Sequence, residues 1–114
     1  MIKKHFSDVK EEIVTKANST QTTVRWLISK KDGARSFATR RFEIEPGGKV
    51  GLHDHDEDHH IYILQGRAIF FDDKDNWEEV SENDVVYIPP NEAHGIANDG
   101  QDKFIFICII PYLD

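Results

Sequence analysis

Residues 46–66 read PGGKVGLHDHDEDHHIYILQG, and no other stretch limits the possible folds of this chain so strongly. The stretch opens on Pro46-Gly47-Gly48, which reads as a turn. It sets His53 and His55 two residues apart, adds His59, and runs apolar into Gly66. In a strand, residues i and i+2 face the same side about 7 Å apart. His53 and His55 are therefore expected to reach one ion from one strand. Asp56, Glu57 and Asp58 are poor strand formers and predict a turn, with His59 opening a returning strand opposite the first. One hairpin cannot surround an ion. Residues 83–98, NDVVYIPPNEAHGIAN, offer a further ligand, His94, just after the rigid Pro89-Pro90-Asn91. The reading is that His53, His55, His59 and His94 hold one metal ion inside a small β-barrel.

These two stretches resemble the two motifs of the cupins. The first cupin motif is G, five residues, H-x-H, three or four residues, E, six residues, G. Gly47 or Gly48, His53, His55 and Gly66 fall on it, with His59 in the usual place of the glutamate. Some small cupins use four histidines and no carboxylate. The second motif is G, five residues, P-x-G, two residues, H, three residues, N. Asn83, Pro89, Asn91, His94 and Asn98 lie on it in register, with Asn at both glycine positions. Asn is, after Gly, the residue most at ease at positive φ.

Within the cupins the chain is most similar to small single-domain, manganese-binding proteins with four histidine ligands. Arg40, Phe42, Glu45, Pro46, Gly47 and Gly48 match their R-x-F-x-x-E-P-G-G strand and turn, and Cys108 and Pro111 match a later C-x-x-P. The resemblance spans roughly residues 40–111. It implies an all-β fold, the cupin-type double-stranded β-helix or jelly-roll barrel, as a single domain with its core in residues 37–114. It also implies that residues 1–36, the N-terminal segment and first strands, help form a dimer.

The remaining chain is consistent with one domain of 114 residues, long enough to bury a single core. A formal charge of −7 disfavours nucleic acid and anionic membrane surfaces as partners, since both require basic patches. One cysteine excludes an internal disulfide framework and fits a reducing cytoplasm. No apolar run has signal-peptide or membrane-span length. Residues 22–29 (TTVRWLIS) predict a strand, and Asp32-Gly33 a turn. Residues 67–71 and 77–80 predict two strands joined by an acidic tip at 72–76. That tip lacks the glycine and distal glutamate of a calcium loop. Residues 85–88 predict a buried strand, and Asp99-Gly100 a short hairpin loop. Residues 103–110 (KFIFICII) are apolar on both faces, so a homodimer is expected to cover the outer one.

Alternation in residues 37–45 puts Arg40 on the apolar face with Ala38, Phe42 and Ile44. It is either an end-of-strand arginine whose head reaches water or a cavity-wall cation able to hold an anionic substrate. Ile61 and Ile63 share parity with His59, Ile96 with His94, and Phe106 with Cys108, so all five are cavity-lining candidates. Cys108 reads first as a small buried hydrophobe and second as cavity wall. His60 has the opposite parity and is expected to face away from the metal; His5 has no functional context. Four neutral imidazoles suit Mn, Fe, Co, Ni, Cu or Zn, and the resemblance points to manganese.

The expected function is that of a metal-binding cupin, an oxygenase (dioxygenase-like) acting on a small organic substrate, with O₂ as co-substrate and Arg40 orienting an acidic group. The alternatives are a non-catalytic small-molecule binding or sensor barrel, or another metal-cupin activity: decarboxylase, isomerase or lyase.

Overall fold

The fold is organised by one long strand that joins the two halves of a single curled nine-stranded sheet, here the first and second sheets. A computed structural model describes residues 1–113, and in it this strand, β3, runs Phe37–His53. Its first half pairs with β2 (Thr20–Ile28) on one side and β9 (Phe104–Pro111) on the other. Its second half pairs with β8 (His94–Ala97). The change of sheet falls at Gly47-Gly48, where a turn was expected; the structure corrects this to a bend inside a continuous strand. Gly47 sits at φ +85°. Its N–H donates to the Asn98 carbonyl at 2.9 Å, and the Asn98 N–H donates to the Gly48 carbonyl at 3.0 Å, so the ladder survives the corner.

The first sheet continues from β9 to β4 (His59–Gln65) and ends on β7 (Val85–Ile88), with β1 (Glu12–Ile13) outside β2. The second continues from β8 to β5 (Arg67–Phe71) and β6 (Trp77–Ser81). These are nine strands among the described residues, paired antiparallel throughout in an all-β cupin jelly roll.

Several local expectations are corrected. β4 does not return against β3; it lies across the barrel, between β9 and β7. β7 is an edge strand, with Val85 73% and Tyr87 54% exposed, because nothing pairs beyond it among the described residues. Asp99-Gly100 does not make a hairpin, since β8 pairs with β3 and β5 while β9 pairs with β3 and β4. The connection instead crosses between sheets around a buried Asn98. Its Nδ2 donates to the Ile44 and Asp102 carbonyls, and its Oδ1 accepts from the Gly100 N–H. The 72–76 tip is closed by the Asp72 carboxylate, which accepts from the N–H groups of Lys74 and Asn76. Asn83 and Asn91 both adopt positive φ, at +71° and +64°, as their motif positions require.

Inward-facing side chains stack in rows across the first sheet. One row runs Trp26, Arg40, Cys108, Ile61, Val86; the next runs Val24, Phe42, Phe106, Ile63. Phe104, Ile44 and Ile63 are fully buried and close the far end of the barrel. The outer row of β9 is less covered, for Ile109 is 37% exposed beside Tyr62 at 44%. The N-terminal arm folds back on its own sheet. Phe6 packs 3.8 Å from the Arg41 guanidinium, and Arg25 Nε donates to the Val9 carbonyl. No described helix is long and apolar enough to cross a membrane.

Residues 14–19 form a strap against the second half of β3. The Ser19 hydroxyl accepts from the Gly51 N–H at 3.2 Å and donates to the Lys16 carbonyl at 2.6 Å. A Cβ on Gly51 would collide with the Ala17 carbonyl oxygen. Gly51→Ala is therefore expected to destabilise the protein by about 1–3 kcal/mol, read as a lower urea midpoint at unchanged slope. An unchanged midpoint would show that the strap is free to move.

Candidate metal centre

Three different local structures bring four imidazoles together. His53 is the last residue of β3 and pairs directly with His94, the first residue of β8. His55 is not on the strand with His53, as the spacing suggested; β3 has ended, and His55 lies in the loop 54–58. That loop is pinned by its backbone, since the His55 carbonyl accepts from the Asn91 N–H at 2.8 Å. The left-handed Asn91 thus joins the loop of one motif to the turn of the other. His59 opens β4 on the barrel's inner face, opposite Ile88 of β7.

Ring centroids lie 4.4 Å apart for His53–His94 and for His55–His59, and 5.2 Å apart for His55–His94. His53, His55 and His94 each present one nitrogen such that these three atoms lie within 4.8 Å of one another, close enough to hold a metal ion. Each of the three has Nδ1 2.8 Å from a backbone carbonyl two residues away: Gly51, Glu57 and Glu92 respectively. A carbonyl only accepts, so Nδ1 carries the hydrogen and Nε2 keeps its lone pair for a ligand. Such carbonyl-oriented imidazoles suit a borderline first-row metal. His59 belongs to the same cluster of rings but is held differently. Its Nε2 lies 2.6 Å from His55 Nε2, and its Nδ1 lies 2.7 Å from Cys108 Sγ.

The rings face a cavity of about 210 Å³. Arg40, Ile61, Ile96, Phe106 and Cys108 line it; Ile63 does not, being one row deeper in the closed core. The Arg40 guanidinium is held between aromatic rings, 5.2 Å from Trp26 and 4.9 Å from Phe42. Its Nη2 donates to Cys108 Sγ at 3.1 Å. Of the two readings of this arginine, the structure places it on the cavity wall. His60 points outward against Tyr87, and His5 packs on Phe6 in the N-terminal arm.

Electrostatics favour neutral rings. Burial lowers the ionisation of His53, His55 and His94 below the ordinary histidine value, more than their carbonyl partners raise it. His59 is depressed furthest, to about 3, by burial first and then by the Arg40 charge. Burial pushes the Cys108 thiol up, against the pull of Arg40.

The sequence did not reveal the strap. Val14, Lys16 and Ser19 line the cavity mouth, although residues 1–21 carry no clear periodicity. Glu57 also lines the site and was assigned only to a turn. Phe42 was legible, since it shares parity with Arg40.

Comparison with known proteins agrees with this architecture. The cupin domain family model matches residues 40–110. An oxalate-binding protein from Thermotoga maritima is 35% identical over 91 residues, covering 76% of this chain and 73% of that protein. The polyketide cyclase RemF from Streptomyces resistomycificus superposes with a TM-score of 0.91 at 35% identity, over 97% of this chain and 79% of that one. A "predicted oxalate decarboxylase" from Thermotoga maritima superposes with a TM-score of 0.83 at 27% identity, over 96% and 97% of the two chains. By sequence, by fold and by the histidines at its mouth, the chain belongs to the cupin domain family.

Proposed function

We propose that this protein binds one divalent transition metal, manganese first and Fe, Ni, Cu or Zn as competitors, through His53, His55, His59 and His94, and acts there on a small organic anion. The observation that carries the reading is the convergence of four neutral imidazoles and one guanidinium on a single apolar cavity of about 210 Å³. A metal bound by four imidazoles would supply Lewis-acid chemistry, and redox chemistry with Mn or Fe. Arg40 would orient the anionic group of the substrate, while Ile61, Ile96 and Phe106 exclude water and hold its apolar body. No carboxylate or free base occupies the first-motif glutamate position, which disfavours reactions built on proton abstraction by that residue. Oxygenase chemistry, with O₂ as second substrate, is therefore the activity proposed. The second reading is non-catalytic capture of a small carboxylate, favoured by the relative named for binding oxalate. The partly exposed outer row around Ile109 and Tyr62 supports a homodimer, and the lone thiol suits a cytoplasmic protein.

Metal analysis of protein prepared without metal-affinity resin is expected to give about one transition metal per chain, lost in His94→Ala. Arg40→Gln is expected to keep the metal and weaken binding of a probe carboxylate such as oxalate or benzoate by about tenfold or more. Oxygen uptake with such substrates separates the two readings: turnover identifies an oxygenase, and binding without consumption identifies a capture protein. Wild type with no metal and no uptake of added Mn²⁺ would sink the oxygenase reading and leave a metal-free binding barrel.

The depressed histidines set a pH dependence. Between about pH 6.5 and the folded value near 3 for His59, the unfolded chain takes up a proton that the folded ring refuses. Stability of the metal-stripped protein is thus greatest above about pH 6.5 and falls as the pH drops, by up to about 1.4 kcal/mol per unit for each such ring. Urea unfolding at pH 7.5 and pH 5 measures this; equal stabilities would mean that the rings are charged in the folded protein.

Sedimentation is expected to show a dimer, converted to monomer by Ile109→Glu. A wild-type monomer would leave the outer row of β9 as ordinary surface.

A further inference from the structure

Three of the four rings have fixed hydrogens, and one does not. His53, His55 and His94 each place Nδ1 against a carbonyl, which permits only the form with the hydrogen on Nδ1. His59 has no such carbonyl. Its Nδ1 meets Cys108 Sγ at 2.7 Å, and Arg40 Nη2 stands 3.1 Å from the same sulfur and 3.4 Å from the same nitrogen. Cys108 is 1% exposed, so no solvent competes for these contacts.

His59 Nε2 and His55 Nε2 are 2.6 Å apart, so both nitrogens face one place in the cavity. His55 carries its hydrogen on Nδ1, toward the Glu57 carbonyl, which leaves its Nε2 bare. For His59 to present Nε2 to a metal in the same way, its hydrogen must sit on Nδ1, and the atom placed to accept it is Cys108 Sγ. The sulfur thus stands where the other three rings have a carbonyl oxygen, and it also accepts from Arg40 Nη2.

We infer that Cys108, which Arg40 also contacts, is the positioning residue that accepts the His59 Nδ1 hydrogen and so presents Nε2 to the metal site as its fourth ligand. This rests on the proposed metal site and deepens it. The lone cysteine is a hydrogen-bond acceptor for the ring here, neither a nucleophile nor a ligand. The matching row geometry supports the assignment, because Arg40 and Cys108 are direct partners across β3 and β9.

The test uses Co²⁺ titration of the metal-stripped full chain, followed by its visible absorption, on Cys108→Ser, Cys108→Ala and Cys108→Val. Ser keeps a hydrogen-bond acceptor, Ala removes it, and Val removes it while filling the volume. Ala and Val are expected to weaken Co²⁺ binding by about tenfold or more and to alter the absorption band, with Ser close to wild type. Val binding like wild type would overturn the inference, as would equal losses in all three, which would indicate packing alone. Thermal unfolding of each variant separates lost fold from lost ligand. If wild type itself takes up neither Co²⁺ nor Mn²⁺, the metal reading falls and this inference falls with it. Wild-type uptake with an indifferent Val variant removes the inference only.

Discussion

The transfer of β3 from one sheet to the other at Gly47-Gly48 is the constraint on which the site depends. Arg40 lies on the first half of this strand and His53 at its end, so one strand delivers the cavity cation and a histidine to a common interior. A side chain at Gly48 would meet Gln21, Ile44 and Thr20 at 2.9 Å, so the corner must be bare there. Asn98 completes it from the other side. Its backbone bonds to both glycines, and its buried amide ties Ile44 to the 98–102 connection. A buried amide is tolerated only when its polar atoms find partners, and both the Nδ2 and Oδ1 of Asn98 do so here.

Burial then decides the chemistry of the histidines. Apolar rows from both sheets end where the rings begin, and an imidazolium there would lose more by burial than Glu57, 3.9 Å from His55, returns. Each ring is therefore kept neutral, and backbone carbonyls, not acids, orient three of them. Neutral imidazole is the form that binds a metal. The fold achieves this by ending β3 at His53 and starting β4 at His59, so that the loop between can turn His55 inward.

Much of this was legible because period-2 alternation and motif spacing are local signals. Arg40 with Phe42, Phe106 with Cys108, and His59 with Ile61 were correctly placed on shared inner faces by parity alone. Parity says which face a residue takes but not how deep it lies, and Ile63 went one row too far into the core for that reason. Pairing partners were less legible. His53 and His55 looked like one strand because H-x-H has strand spacing, yet the ladder ends between them. Asp99-Gly100 looked like a hairpin because the dipeptide favours one, but the strands it joins pair elsewhere. Long-range pairing overrode the local preference in both cases. The strap over the mouth left no periodic trace, since its shape follows from Ser19, Gly51 and two left-handed residues, Ala17 and Asn18.

The charge at the cavity differs in sign from that of the whole chain. The chain carries a formal charge of −7, yet the charged groups lining the cavity are Arg40, Lys16 and Glu57. Arg40 is an unusual residue for an apolar wall, because no carboxylate among the described residues pairs with it there. Two aromatic rings and a sulfur hold the guanidinium, and its buried Nε meets no acceptor among the described residues. Guanidinium is weakly hydrated and tolerates such surroundings better than an ammonium would. The same charge also helps to keep His59 neutral. One residue thus places a positive charge on the wall of an apolar barrel and disfavours protonation of the ring nearest to it.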